Sequence, residues 1–306
     1  MRIFLTGGTG FIGSHLRRAL IGDGHEVIAL VRLSQQPEQG TTWITGELAD
    51  IEALSVGMTG CDAVIHLVGI IRESKDATFT QIHVQGTENV LTAMRRSGVP
   101  RLLHMSALGA GPKQPTEYYR TKWQAEELVR ASPVHYTIFR PSLIFGSGDG
   151  FTSQIIAQLR HFPIMPIIGN GQYRFAPIAV QDVCAIYLQT LQLDSATTAK
   201  TFELCGPETL TYAQIVRLLA SILGIHKPHI YLPVSFIRLL IATTSTLHLP
   251  FPITREQLAM LLLGSTCEDP ATRDIFQLSL TRLNTLEVAK AKNAANFSAP
   301  HTDGQK

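Results

Sequence analysis

Short apolar runs bounded by turn residues recur along the first half of the chain, at Arg2 to Leu5, Glu26 to Val31, Thr42 to Ile44, Ala63 to Val68, Arg101 to Met105 and Val134 to Phe139. They are rich in Val, Ile, Leu and Phe, the composition of strands buried on both faces. Between them the apolar period changes. Phe11, Ile12, Leu16, Ala19 and Leu20 recur at helical spacing until Gly22-Asp23-Gly24 stops the run, and further helices are predicted over Asp50 to Val56, Phe79 to Ser97 and Tyr118 to Ala131. Strand and helix in alternation imply right-handed crossovers and a doubly wound parallel sheet of the α/β class. After Arg140-Pro141 the alternation fades, and Gly- and Pro-containing segments fill the stretch from Gly146 to Pro177. A helix over Val180 to Leu191, a short strand over Thr201 to Cys205 and a helix from Thr211 to Leu223, with Thr211 as N-cap, follow.

The expected organisation is a nucleotide-binding domain over residues 1–142, completed by about 180–205, with a smaller C-terminal substrate lobe from 143–179 and 206–286. From Glu287 the sequence is polar and rich in Ala, Asn and Lys, which predicts a disordered tail over 287–306.

The first strand runs into Thr6-Gly7-Gly8-Thr9-Gly10-Phe11-Ile12-Gly13 and then directly into a helix. Gly7 permits a tight turn, Gly10 lets backbone approach a pyrophosphate, and Gly13 lets helix and strand pack closely. The free N–H groups of Phe11, Ile12 and Gly13, with Thr9 beside them, complete a phosphate cradle. This context makes the fold Rossmann-type and the expected ligand a nicotinamide dinucleotide. Arg32 ends the second strand where NAD-selective sites carry an acidic residue. A guanidinium there suits a ribose 2′-phosphate, so NADP(H) is favoured and NAD(H) is the alternative.

Bulk properties narrow the classes. The chain has 306 residues, 45% of them hydrophobic, enough for a full core. Its net charge of +2 with scattered Lys and Arg speaks against nucleic acid or an anionic membrane as partner. Cys61, Cys184, Cys205 and Cys267 are widely separated and read as buried thiols of a reducing compartment. The first strand begins at Arg2 and leaves no room for a targeting peptide, so a cytoplasmic location is expected. One segment, Tyr231 to Leu249, carries only Arg238 as a charge and reads as a buried or lid-forming helix. Its apolar face of Phe236, Leu239, Leu240 and Leu247 offers peripheral contact with the inner membrane or a respiratory complex as an alternative.

Tyr118 and Lys122 stand four apart, one helical turn, so both side chains project from one face. The ammonium is expected to lower the phenol's pKa and to hold ribose hydroxyls. Ser106 ends the fifth strand, at the sheet edge where ligands lie. His66, His83 and His104 fall in or beside core elements without metal spacing, and no metal is expected.

On these residues the chain resembles the extended and atypical short-chain dehydrogenase/reductases across about Met1 to Pro207. The resemblance rests on the glycine turn, Val64-Ile65-His66-Leu67-Val68-Gly69, Ser106, Tyr118 with Lys122, Arg140-Pro141-Ser142-Leu143-Ile144-Phe145-Gly146 and Val180-Gln181-Asp182-Val183. The wording is most similar to bacterial relatives of the nucleotide-binding accessory subunit of mitochondrial complex I, often labelled NAD-dependent epimerase/dehydratase. The resemblance implies Tyr118 as general acid/base, Lys122 on the nicotinamide ribose and Ser106 beside a substrate carbonyl. It also implies that Glu47, Leu48, Leu67, Val68, Gly69 and Pro141 line the coenzyme, and that Arg174 and Arg140 serve the substrate. A strand-end Arg140 paired with a carboxylate such as Asp182 is the structural alternative. Tyr118 follows Ser106 by only 12 positions, about half the spacing of the sugar-nucleotide enzymes, and Glu47 stands where relatives carry Asp. Two functions follow: an oxidoreductase or epimerase-like enzyme acting on a small molecule, or a weakly active or inactive nucleotide-binding structural or assembly factor linked to complex I or quinone metabolism.

Overall fold

Alternating burial along the chain becomes a layered sheet in the computed structural model, which describes residues 1–246, 251–267 and 270–285. Strands β1 (Arg2–Thr6), β2 (Glu26–Val31), β3 (Thr41–Thr45), β4 (Ala63–His66), β5 (Arg101–Met105) and β6 (His135–Pro141) all pair in parallel. The sheet order places β1 centrally, with β2 and β3 on one side and β4, β5 and β6 on the other. Its two halves diverge at β1 and β4, and the crevice outside the strand ends at such a switch point is where ligands bind.

Helices cover both faces, as the continuous apolar strands require. On one face α1 (Phe11–Gly22) contributes Leu16 and Leu20 to a core with Ile3, Leu5 and Ile65. On the other, α2 (Ile51–Met58), α3 (Gly86–Ser97) and α4 (Glu117–Ala131) bury Leu54, Met94 and Val129 against Phe4, Val64 and Leu102. The helix expected over Phe79 to Ser97 forms in two pieces, a π-helical turn at Thr80–Gln85 followed by α3. At the junction, a Cβ on Gly86 would lie 2.8 Å from Leu48 Cδ1, so close packing against the β3–α2 loop shapes the change.

Beyond β6 the chain forms β7 (Ile144–Phe145), α5 (Gly150–His161), β8 (Met165–Ile168), β9 (Arg174–Phe175) and β10 (Ile178–Ala179). Helix α6 (Val180–Gln192), the short α7 (Asp194–Thr197) and β11 (Lys200–Leu204) return to the sheet, where β11 pairs with β6 as the seventh strand. Strand β12 (Leu210–Thr211) leads into α8 (Tyr212–Ile222), whose N-cap is Thr211 within a full capping box. The segment expected as one helix from Tyr231 starts instead as strand β13 (His229–Leu232), paired with β8, before α9 (Val234–Thr246) begins. The pairing with β8 uses Tyr231 and Leu232 as ladder residues and delays the helix past Pro233. Helix α9 buries Ile237 and Ile241 and exposes Phe236 and Leu239; residues 247–250 of the segment lie outside the described residues. Helices α10 (Arg255–Leu263) and α11 (Pro270–Phe276) follow. The tail expected to be disordered lies outside the described residues as well. Among the described residues no helix is long and apolar enough to cross a membrane.

The cysteines correct the expectation of four thiols. Cys61 and Cys184 are buried thiols, whereas Cys205 and Cys267 form a disulfide with their Cα atoms 6.1 Å apart. Their separation of 62 positions hid the pair, because the fold alone brings the end of β11 beside the segment after α10. One ground for expecting a reducing compartment is thereby removed.

Candidate functional site

The glycine turn is built as its residue types demand. Gly7 has φ +78°, a conformation open to glycine, and its carbonyl accepts the N–H of Gly10 at 3.0 Å. A Cβ on Gly13 would lie 2.0 Å from Gly7 O and 2.8 Å from Gly8 Cα, so only glycine lets α1 approach the turn this closely. Helix α1 also begins differently from α2, α4, α5, α8 and α10. Those begin with an Asp or Thr side-chain cap, but α1 starts at Gly10 with no side-chain cap and no acidic residue in its first turn. Unsatisfied N–H donors with the positive end of the helix behind them suit a phosphate. Phe11, Ile12, Gly13 and Thr9 stand in this turn, and Val68 and Leu67 close against Gly7, with Val68 N 3.2 Å from where its Cβ would be. The residues present thus fit a dinucleotide pyrophosphate.

At the adenosine end, Arg32 follows β2, is exposed, and has no ion-pair partner among the described residues. Glu47 is also exposed, in the loop after β3, while the neighbouring Leu48 is half-buried and accepts Asn89 Nδ2 at 2.9 Å through its carbonyl.

At the other end of the crevice, Lys122 sits beside Gly69 and β5. Its ammonium donates to Met105 O at 3.0 Å, and a Cβ on Gly69 would lie 2.9 Å from Nζ. Burial pulls the ammonium down to about 8, against the pull of Glu126 in the opposite direction. The depressed value makes a stability prediction with a definite sign. The unfolded chain holds the proton up to the ordinary 10.5, so burying Lys122 costs most below about 8 and the cost fades as pH rises. Lys122→Met should therefore lead the parent in urea stability at pH 7, and the lead should shrink by about 2 kcal/mol by pH 9.5 in coenzyme-free protein. A pH-independent difference would contradict the buried ammonium.

Tyr118 occupies the first turn of α4, where its backbone N–H has no helical acceptor and is taken by Glu256 Oε2 at 3.3 Å from α10. Its ring is enclosed by Phe79, His83 and Tyr119, with centroids at 5.9, 5.5 and 5.2 Å, and it belongs to a cluster with Ala107 and Met260. The expected lowering of the phenol is corrected. Burial, with Tyr119 adding to it, raises Tyr118 well above the ordinary tyrosine range. The ring is packed among apolar and neutral groups, and desolvation disfavours the phenolate. Ser106 is buried, donates its N–H to Phe139 O at 2.7 Å, and its Oγ has no hydrogen-bond partner among the described residues. It is a hydroxyl left for a ligand to satisfy, and no hydrogen bond joins it to Tyr118.

His83, read from the sequence only as a histidine in or beside a core element, packs against Tyr118. Its Nε2 accepts the Ile70 N–H at 3.2 Å and its Nδ1 lies 2.9 Å from Thr121 Oγ1, so it ties the loop after β4 to the helix of Tyr118. Burial and the Lys122 ammonium push it down to about 2, and burial and Lys122 hold His66 at about 3. His104 is likewise driven well below its ordinary value by burial. All three are neutral at ordinary pH. Among the described residues no group of three His, Cys, Asp or Glu is placed to hold a metal ion.

The two arginines assigned to a substrate lie apart from this constellation. Arg140 is bound to Glu126 through Nε (2.8 Å) and Nη2 (2.6 Å), with Arg130 on the same fully buried carboxylate at 2.6 Å. Asp182, the carboxylate expected for it, instead accepts Thr281 N and Oγ1. A bidentate pair of this kind fixes β6 to the helix of Tyr118 and Lys122, so Arg140 positions that helix. Arg174 is exposed on β9, with its carbonyl accepting the Ser265 N–H at 2.8 Å. Pro141 ends β6, its carbonyl accepting Leu108 N–H at 2.9 Å.

A parallel doubly wound sheet, a glycine cradle at its first turn, and a Tyr and Lys one turn apart across the crevice define a dinucleotide-binding protein. Residues 3–205 match the family model described as NAD dependent epimerase/dehydratase family, and the chain belongs to that family. It is 26% identical over 265 residues to the Arabidopsis thaliana mitochondrial NADH dehydrogenase [ubiquinone] 1 alpha subcomplex subunit 9, covering 82% of this chain and 66% of that protein. It is 35% identical over 209 residues to the Stigmatella aurantiaca 4-hydroxy-2-methyl-3-oxo-4-farnesyl-3,4-dihydroquinoline-1-oxide ketoreductase, covering 60% of this chain and 62% of that one. The chain thus spans about two thirds or less of these relatives. Among solved structures, MoeE5 in complex with UDP-glucose and NAD superimposes with a TM-score of 0.77 at 18% identity, over 96% of this chain and all of that one, and shares the fold.

Proposed function

We propose that this chain is an NADP(H)-dependent carbonyl reductase in which Tyr118 is the proton donor. The observation that carries the reading is the enclosed Tyr118, held protonated by burial one helical turn from Lys122. When bound, the coenzyme supplies the hydride that reduces the substrate carbon. Tyr118 gives its phenolic proton to the carbonyl oxygen, the Lys122 ammonium stabilises the phenolate left behind, and Ser106 Oγ orients the oxygen. A phenol held above its ordinary range stays protonated at neutral pH, the form that carbonyl reduction consumes. The name of the Stigmatella relative, a ketoreductase, supports the same direction. In the test, added aldehydes and ketones bleach the reduced-nicotinamide absorbance of the coenzyme-loaded protein; oxidation of alcohols alone would overturn the reading.

Arg32 supports the choice of coenzyme. Arg32→Ser should weaken NADP(H) binding by about 10- to 100-fold, the worth of a charge-assisted hydrogen bond, and leave NAD(H) nearly unchanged. Calorimetry with both coenzymes checks it, and equal losses would remove Arg32 from the 2′-phosphate.

A second reading, a nucleotide-binding structural or assembly factor at a respiratory complex or the inner membrane, is favoured by Ser106 standing unjoined to Tyr118 and by Phe236 and Leu239 exposed on α9. The Arabidopsis relative's name supports it. A bound coenzyme inert to every aldehyde, ketone, quinone and sugar nucleotide would select this reading.

A further inference from the structure

A cavity of about 290 Å³ lies between the loop after β4 and helices α9 and α10. Buried Phe79 and Ile241 and half-buried Phe251 and Ile253 form an apolar wall, and exposed Arg72 and Arg255 share the polar part of the lining with two carboxylates and two threonines. Two of its residues touch the reacting tyrosine directly: the Phe79 ring packs edge-on to Tyr118, and Glu256 holds the Tyr118 N–H. A cleft between two parts of a fold, next to a perturbed titratable group, is where substrate is expected.

The polar groups of the lining sort by what already occupies them. Glu73 Oε1 accepts the Phe79 N–H at 2.8 Å, and Glu256 is bound to Tyr118 N. Thr254 Oγ1 caps α10 by accepting Gln257 N–H at 3.1 Å, and Thr244 Oγ1 donates to Leu240 O at 2.7 Å. Arg72 and Arg255 are different, for neither has an ion-pair partner among the described residues. A sugar buried here would leave its hydroxyls short of partners, at a cost for each. Glu73 and Glu256 each hold a carboxylate in the lining with one oxygen on a backbone N–H, whereas the two guanidinium groups have no ion-pair partner among the described residues and, with the apolar wall, fit an amphipathic anion.

We propose that this cavity is the substrate pocket and that it takes a small oxo acid, an apolar alkyl or aryl body carrying a ketone toward Tyr118 and a carboxylate toward Arg72 and Arg255. The inference rests on the reading of Tyr118 as proton donor, which places the ketone. The volume stands at the lower end of the range for ligand pockets, in keeping with a compact substrate.

The test is calorimetric titration of the coenzyme-loaded full chain with 4-oxooctanoate and with 4-octanone. The oxo acid should bind more tightly than the ketone. The double variant Arg72→Gln with Arg255→Gln, both surface positions, should weaken the oxo acid by about tenfold or more and leave the ketone unchanged. Ile253→Trp, which fills the cavity, should weaken both ligands by at least about tenfold with coenzyme affinity preserved. If the tryptophan variant fails to fold, the arginine pair decides. No heat with 4-oxooctanoate, or binding untouched by the arginine pair, would overturn the pocket. Binding without reduction would leave the pocket standing and sink the reductase reading. Reduction of other ketones without this binding would do the reverse.

Discussion

Tyr118→Phe should lower carbonyl reduction by about 10²- to 10⁴-fold, the usual worth of a positioned general acid, while coenzyme affinity stays within about twofold of the parent. The selectivity of that loss follows from packing. Tyr118 is 8% exposed, and its ring, not its hydroxyl, makes the contacts with Phe79, His83 and Tyr119. The hydroxyl forms no hydrogen bond among the described residues, so phenylalanine keeps the ring in place and strands no buried partner. Stability in urea should therefore change little. Single-turnover rates with saturating reduced coenzyme read the chemistry directly, and calorimetry reads the coenzyme. A variant that loses both equally would show a tyrosine needed for binding; a variant that retains full turnover would show a proton arriving from elsewhere.

Gly13→Ala should cost about 3 kcal/mol or more of folding stability and abolish coenzyme binding, because the new methyl meets backbone that has nowhere to go. At 2.0 Å from Gly7 O and 2.7 Å from Gly7 C, it must push α1 off β1 or break the turn. Two other glycines of the same segment make the comparison informative. At Gly10 a Cβ would meet only Gly7 O, at 3.3 Å, so Gly10→Ala should fold and lose affinity mainly through the space reserved for phosphate. At Gly22, in the last turn of α1, nothing lies within 4 Å, and Gly22→Ala should gain about 0.5 kcal/mol from helix propensity and the stiffer unfolded chain. Urea midpoints and coenzyme titration of the three variants test the ranking. Equal stability of the Gly10 and Gly13 variants would mean that close helix–strand packing is not what Gly13 secures.

The legible parts of the fold are those written in local period. All six expected early strands form within about two residues of their expected ends, as does α1, because continuous burial and helical spacing are properties of a few neighbours. Lys122, four positions from Tyr118, was equally local. Partner choice was not. Arg140 meets Glu126 and leaves Asp182 to Thr281, 99 positions away. The phenol of Tyr118 rises where the Tyr-Lys spacing alone argued for a fall, since burial among Phe79, Ala107 and Met260 governs it and Tyr119 adds to the rise.

Strand and helix order, the glycine cradle and the one-turn placement of Tyr118 and Lys122 were determined by the sequence alone, since each depends on residues within one or two turns of chain. Tertiary structure decided the rest: Glu256 comes to Tyr118 across 138 positions, and Cys205 to Cys267 across 62. Acidity, pairing and the cavity all depend on what folding packs around a group, and spacing along the chain does not carry that information.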